Sequence, residues 1–334
     1  MQSGTWPAAP VSPEQADAAS TFLKWAWPFM EGCLWVNKRY RTVGDQDEAL
    51  LFLTAWHFLM ADIANSQELL GSVGNLPVRA GLARLAPERF RPSSIASFIE
   101  ETGIPRETAR RKLAALVARG VFVTNNDGTY QLATLDEVIL DVIVPAFGLA
   151  RWMASINGWP PATLGQPVSV RSHGGLIRHY LAAYLAMVKA RRIHTGRVSQ
   201  VPVQMAIMLL QTMKVERKLK LEGPANASDF QTYVALSLPL LDEPYYLCQI
   251  AHLCDLPLDS VRTSCRQLDE DNGLVTRDGS EALRIGGLQL STDTVGSRRF
   301  YSLEIQQRVS QFTKHVLARA ERLSRRASTP KDVR

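Results

Sequence analysis

A chain that repeats itself must place the same structural unit twice, and this one does repeat. Residues 92–105 (PSSIASFIEETGIP) and 244–257 (PYYLCQIAHLCDLP) are blocks of equal length, each bounded by proline and separated by an offset of 152. Carried on without a gap, that offset pairs Thr108 with Ser260, Arg110 with Arg262 and Leu116 with Leu268. One inserted residue near Asn272 then sets Gly120 opposite Gly273 and Val121 opposite Leu274. Upstream, it aligns VNKRYRT with VKARRIHT, and the long apolar stretch FLTAWHFLMADIANSQELL with QMAIMLLQTMKVERKLKLE. The 334 residues therefore read as two copies of one unit of about 150 residues. The expected boundaries are a disordered segment 1–19, a first repeat 20–156, a Gly/Pro-rich linker 157–175, a second repeat 176–326 and a disordered basic tail 327–334. Each repeat is expected to run helix (22–40; 176–192), basic turn, long helix (47–70; 201–221), connection, proline-bounded block, further helix, hairpin and closing helix (134–156; 303–326).

The remaining composition narrows the function classes. With 46% hydrophobic and 21% charged residues the chain can build sizeable cores. The longest apolar run, Ala49 to Ala61, is too short for a bilayer, and no secretory signal pattern opens the sequence. Four cysteines without a CxxC pair predict neither a disulfide scaffold nor a zinc site, so a reducing cytoplasm is the expected setting. Dinucleotide, P-loop, nucleophile-elbow and HExxH motifs are absent, and the six histidines show no metal-ligand spacing. The acidic run Asp269–Asp271 has its glycine too early for an EF-hand, and a solvated helix end is expected there. No enzyme, cofactor or metal is predicted. The net charge of +6 permits a polyanionic partner.

In the first block, Ile95, Ala96 and Ile99 recur at helical spacing and are expected to face the core. Gly103 and Pro105 break that helix and start the next, on which Ala109, Leu113, Leu116 and Val117 form one apolar stripe. After Gly120, two β-prone runs flank Asn125-Asn126-Asp127-Gly128, a hairpin signal. Helix, glycine turn, helix and hairpin in that order resemble the DNA-binding region of bacterial winged helix-turn-helix regulators. The string GIPRETARR is most similar to the GntR-like and MarR-like groups. The resemblance covers about forty residues and implies a mainly α fold with small β-hairpin wings, here in tandem.

Carried residue by residue, the resemblance makes Arg106 to Lys112 the start of a recognition helix. Arg110 or Arg111 would donate bidentately to guanine, Thr108 would meet a base edge or phosphate, and Glu107 would accept from cytosine or orient an arginine. Asn125, Asn126 and Thr129 would lie at the wing tip against phosphate or minor groove. In the second repeat Ser260, Arg262, Thr263 and Arg266 would face outward, with a wing from about Leu283 to Leu303 carrying Arg298 and Arg299. The repeats differ in charge: nine basic against four acidic residues over 77–120, two against eight over 229–273. Backbone neutralisation dominates DNA affinity, so the first repeat is expected to carry most of the binding, with the second auxiliary. MarR-like proteins are intertwined dimers, and a tandem chain is expected to form a single-chain pseudo-dimer on double-stranded DNA. Trp25, Phe29 and Trp56 suit either a pocket for a small hydrophobic or aromatic effector, or a packed core. Two other readings stay open: a tandem winged-helix scaffold for protein partners, and a plasmid-type replication initiator.

Overall fold

A computed structural model describes residues 32–73, 76–85, 90–133, 135, 139–147, 169–195, 200–222, 243–272, 275–278 and 282–285. The protein is mainly helical, with eleven helices and two small antiparallel sheets among these residues. In chain order they are α1 (32–40), α2 (Gln46–Asn65), α3 (Gln67–Val73), α4 (Val78–Ala83), α5 (Ile95–Thr102), α6 (Arg106–Ala118), β1 (Phe122–Thr124), β2 (Tyr130–Leu132) and α7 (139–147). Then come α8 (Val170–Thr195), α9 (Val201–Glu222), β3 (Tyr245–Tyr246), α10 (Leu247–Cys254), α11 (Leu258–Asn272), β4 (Val275–Asp278) and β5 (Ala282–Ile285).

The centre is the pair α2 and α8, the most extensively packed elements. α2 starts at a capping box in which Asp45 and Glu48 satisfy each other's backbone N–H. Its body is apolar on nearly every face, as a helix enclosed on several sides must be. Tyr40 of α1 lies against Phe52 and Trp56, with ring centroids 5.8 Å apart in each case, and Phe147 covers the far side of Trp56 at 6.3 Å. From α8, the Tyr180 hydroxyl donates to Cys33 Sγ at 3.5 Å. All four cysteines are free, and burial pushes the Cys254 and Cys265 thiols up to about 12. Among the described residues no single helix is long and apolar enough to cross a membrane.

Several boundaries differ from the expectation. The helix expected over 47–70 breaks at Ser66, where α2 and α3 bend by 98°. Ser66 adopts an extended backbone, and its Oγ accepts from the N–H of Leu69, so it caps a new helix. The stretch 71–91 expected as connection contains α4. α8 begins at Val170, inside the expected linker, and its Gly174 sits close to α2: a Cβ there would lie 3.0 Å from Met60 Cε. On α5 the buried anchor is Phe98, whereas Ala96 is exposed and Ile95 and Ile99 are half-buried. On α6, Ala109, Leu113 and Leu116 are buried as expected, and Val117 is half-buried. The segments 1–19, 157–168 and 327–334 and the closing helix 303–326 lie outside the described residues.

Two sets of elements follow one offset. Adding 152 to the bounds of α5 yields those of α10, and Arg106, the first residue of α6, falls on Leu258, the first of α11. The first hairpin pairs Phe122 with Leu132 and Thr124 with Tyr130, and Ser93 bridges Tyr130. In the second, β4 pairs with β5, and Tyr245 meets Leu283 at the place equivalent to Ser93 and Tyr130. This second hairpin lies about ten residues before the one expected over 283–303. The turn signal that locates it is Asp278-Gly279, flanked by Val275-Thr276 and Leu283-Arg284-Ile285.

The turn between each pair of short helices needs a left-handed residue, Gly103 in one (φ 66°) and Asp255 in the other (φ 55°). A Cβ on Gly103 would also come within 3.3 Å of Lys189 Cγ. Gly103→Ala is therefore expected to lower stability by about 1–2 kcal/mol, read from the urea unfolding midpoint. A loss below half of that would mean the turn tolerates a side chain.

Candidate nucleic-acid interface

The start of α6 is exposed. Its N-cap, Pro105, supplies no side-chain acceptor, so the first-turn N–H groups stay available. Arg106, Glu107, Arg110 and Arg111 are exposed and Thr108 is half-buried, opposite the buried Ala109–Leu113–Leu116 stripe. Arg110 grips Glu107 with two hydrogen bonds, Nε to Oε2 at 3.0 Å and NH2 to Oε1 at 2.5 Å. That contact holds the Glu107 carboxyl below its ordinary 4.5 and raises Arg110. Among the described residues Arg106 and Arg111 make no ion pair, though Arg111 helps to lower the Glu107 carboxyl, and both guanidinium groups lie on this exposed face.

Lys112 belongs elsewhere. Its ammonium turns inward to Asp45 and Glu48, leaving the side chain 19% exposed. Arg119 joins the same group, donating to Glu48 at 2.8 Å and to the Val43 carbonyl at 2.7 Å. Both residues, basic in sequence, thus tie α6 to the start of α2 and leave the outward face. Partial burial pushes the Asp45 carboxyl up, but Lys112 and the N–H groups of Glu48 and Asp47 outweigh it and hold the group below 3.8. A depressed folded-state carboxyl contributes stability above its unfolded value, and that contribution is lost as pH falls through the folded value, below 3.8. Asp45→Ala is expected to lower stability by about 0.5–2 kcal/mol at neutral pH through loss of the cap. The difference between wild type and variant should shrink on acidification below pH about 4. A pH-independent difference would remove the carboxylate from the explanation.

At the hairpin tip, Asn125 and Thr129 are used in building the turn. Asn125 Nδ2 donates to Thr129 Oγ1 at 3.1 Å and to Gln131 Oε1 at 3.3 Å, and Asp127 accepts from the Thr129 hydroxyl at 2.6 Å and its N–H at 3.0 Å. Of the three tip residues singled out in sequence, only Asn126 is exposed with its side chain open. The Thr129 hydroxyl and N–H keep the Asp127 carboxyl low, so the tip carries a negative charge.

In the second unit Ser260, Thr263 and Arg266 are exposed on α11 and Arg262 is half-buried, bonded to Asp259 at 2.9 Å. Arg298 and Arg299, like Trp25 and Phe29, lie outside the described residues. Trp56 is fully buried between Tyr40 and Phe147 and is a core side chain.

The basic stretches 38–41 and 189–192, to which sequence reading attached no role, reach the turns between the short helices. Arg41 donates to the carbonyls of Cys254 and Asp255, both at 3.1 Å, and Lys38 pairs with the Asp255 carboxylate at 3.3 Å. Reciprocally, Arg192 pairs with Asp47 at 2.8 Å, and the stems of Lys189 and Arg192 lie against Gly103. The turn at Asp255 is thus held by Lys38 and Arg41, the turn at Gly103 lies against Lys189 and Arg192 near the end of α8, and α8 also packs on α5. α6 and α11 are carried on one interlocked framework. Comparison of the chain with protein-family models, curated proteins and solved structures finds no match.

Proposed function

We propose that this protein is a sequence-specific, double-stranded DNA-binding transcriptional regulator. In this reading, two winged helix-turn-helix units form a pseudo-dimer within one chain. α6 enters the major groove, its hairpin lies along the backbone, and the second repeat contributes a weaker contact. The observation that carries the reading is the exposed start of α6. It presents Arg106, Arg110 and Arg111 with a single acid, on a helix that follows a tight turn and precedes a hairpin. The contacts of Arg41 with the 254–255 turn and of Arg192 on α8 with Asp47 support a fixed spacing between α6 and α11, as two half-sites require.

The test is fluorescence anisotropy of the full chain against a pool of randomised duplexes over a salt series, with recovery of bound sequences. A steep fall of affinity with salt, about −0.9 in the log–log slope per neutralised phosphate, and an enriched motif are expected. A near-palindromic motif fits an operator, whereas direct repeats would favour a replication initiator. No binding even at low salt would leave the helix–hairpin units as docking modules for a protein partner.

A further inference from the structure

The three acids at the start of α2 have two destinations. Asp45 and Glu48 hold Lys112 and Arg119 of α6, whereas Asp47, between them in the chain, holds Arg192 of α8 at 2.8 Å. The Arg192–Asp47 pair is largely enclosed, with side chains 11% and 21% exposed, so solvent and salt screen it less than a surface pair. The stems of Lys189 and Arg192 also lie against the Gly103 turn that leads into α6. Directly and through α2, α6 is therefore registered against the end of α8.

α11 is held from the other direction. It follows the left-handed Asp255, where the last carbonyls of α10 lack acceptor duty within their own helix, as at any helix end. Arg41, just beyond α1, donates to two of them, NH1 to the Asp255 carbonyl and NH2 to that of Cys254. Two charge-assisted bonds from one planar guanidinium fix direction as well as distance. The Lys38–Asp255 pair, with both side chains 57% exposed, adds little. Between these ties α1 meets α8 without slack: the Tyr180 hydroxyl donates to Cys33 Sγ, and a Cβ on Gly32 would lie 2.9 Å from that hydroxyl. A continuous path runs from α6 through α2, α8 and α1 to the turn that carries α11.

One base pair of spacer moves a second half-site by about 3.4 Å along the duplex and by about 35° around its axis. A protein selects one spacer length only if its two reading helices are held more closely than that. Apolar burial is non-directional and does not impose such a limit by itself, whereas the Arg41 fork and the enclosed Arg192–Asp47 pair do. We infer that Arg41 and Arg192 are positioning residues that fix α6 relative to α11 and so select the spacer between the two half-sites, an inference that rests on the DNA-binding reading above. They act through the turns before α6 and α11 and through the start of α2, without contacting a base.

The test uses the full chain as wild type, Arg41→Met, Arg192→Met and Asp47→Asn. Each is titrated against duplexes carrying the half-sites that wild type selects from a randomised pool, with the spacer changed by one or two base pairs either way. Wild type is expected to prefer one spacer and to bind duplexes one base pair away about 10-fold more weakly. In Arg41→Met and Arg192→Met that preference should fall to about 3-fold, with the preferred bases of each half-site unchanged. Asp47→Asn should reproduce Arg192→Met, because it breaks the same pair from the acidic side. A lost phosphate contact would instead weaken every spacer alike, and Asp47→Asn would not reproduce it. Pulsed electron paramagnetic resonance supplies a readout without DNA, using spin labels at the exposed Ala114 and Thr263, carried on non-natural amino acids because Cys248 is also exposed. The distance distribution should be narrow in wild type and broader in both arginine variants. Thermal melts verify folding, and Arg41→Lys, which keeps the charge and loses the fork, stands in for Arg41→Met where the latter does not fold. A wild type indifferent to spacer length, or a spacer preference or distance distribution unchanged in both arginine variants, overturns the inference and leaves the DNA-binding reading standing. A wild type that retains no duplex even at low salt overturns both.

Discussion

Replacing Arg110 and Arg111 together by alanine is expected to weaken binding to the selected duplex by roughly 30- to 25,000-fold, the loss of two contacts worth about 1–3 kcal/mol each. Both side chains are exposed on the first two turns of α6, so the change removes ligand contacts without opening the core. The two arginines are neighbours and share Glu107, which both hold low, so their effects need not add. The salt series separates their roles. A base-reading arginine lost to alanine changes the preferred sequence, whereas a phosphate-bound one lowers affinity for every sequence and reduces the slope by about 0.9. Lys112→Ala is the informative contrast. Its ammonium is bound to Asp45 and Glu48, so the substitution should reduce stability and leave the recovered motif intact. Full affinity in the double arginine variant would exclude α6 as the reading helix.

Phe98→Ala is expected to destabilise the first helix–hairpin unit by about 3–5 kcal/mol, the range for a phenylalanine removed from a closed core. Phe98 is completely buried, 5.9 Å from the Phe58 ring of α2 on one side and 5.9 Å, edge-on, from the Phe122 ring of β1 on the other. One side chain thus joins α5 to the central helix and to the hairpin. Its loss leaves a cavity at the point where α5 and the β1–β2 hairpin meet the central helix. The urea unfolding curve should show the loss, and hydrogen exchange should show it first in α5, β1 and β2. A change below about 1 kcal/mol would mean that neighbouring rings close the gap, and that Phe98 is not the joint described.

The helix–turn–helix–hairpin order was readable because each of its signals is local. A glycine at the left-handed turn, a proline at the next helix start, apolar spacing of three and four, and Asn-Asp-Gly at a hairpin act within a few residues of themselves. The break at Ser66 was equally local and was masked by the strength of the apolar pattern around it. The second hairpin lies earlier than the expected one because the aromatic run after Gly296 is a stronger β signal in sequence than the short Val275-Thr276 and Leu283-Arg284-Ile285 runs that form it. Phe98 rather than Ala96 is the buried anchor because a short helix has too few turns to fix its buried face by periodicity, and the Phe58 and Phe122 rings of α2 and β1 fix it.

The candidate site divides in the same way. That α6 would carry arginines outward follows from the phase of Ala109, Leu113 and Leu116, and so was available from the order of residues. The destination of each charge was not. Lys112 and Arg119 turn to Glu48 because α2 brings a buried-side carboxylate within reach across some seventy positions of chain. Arg41 finds the carbonyls of Cys254 and Asp255 because the fold brings the end of α10 against the turn after α1, more than two hundred positions away in the chain. Local sequence specifies helices, turns and their faces through short-range sterics and periodicity. Which charges are neutralised, and which remain to meet a ligand, depends on distances that exist only after the chain has closed on itself.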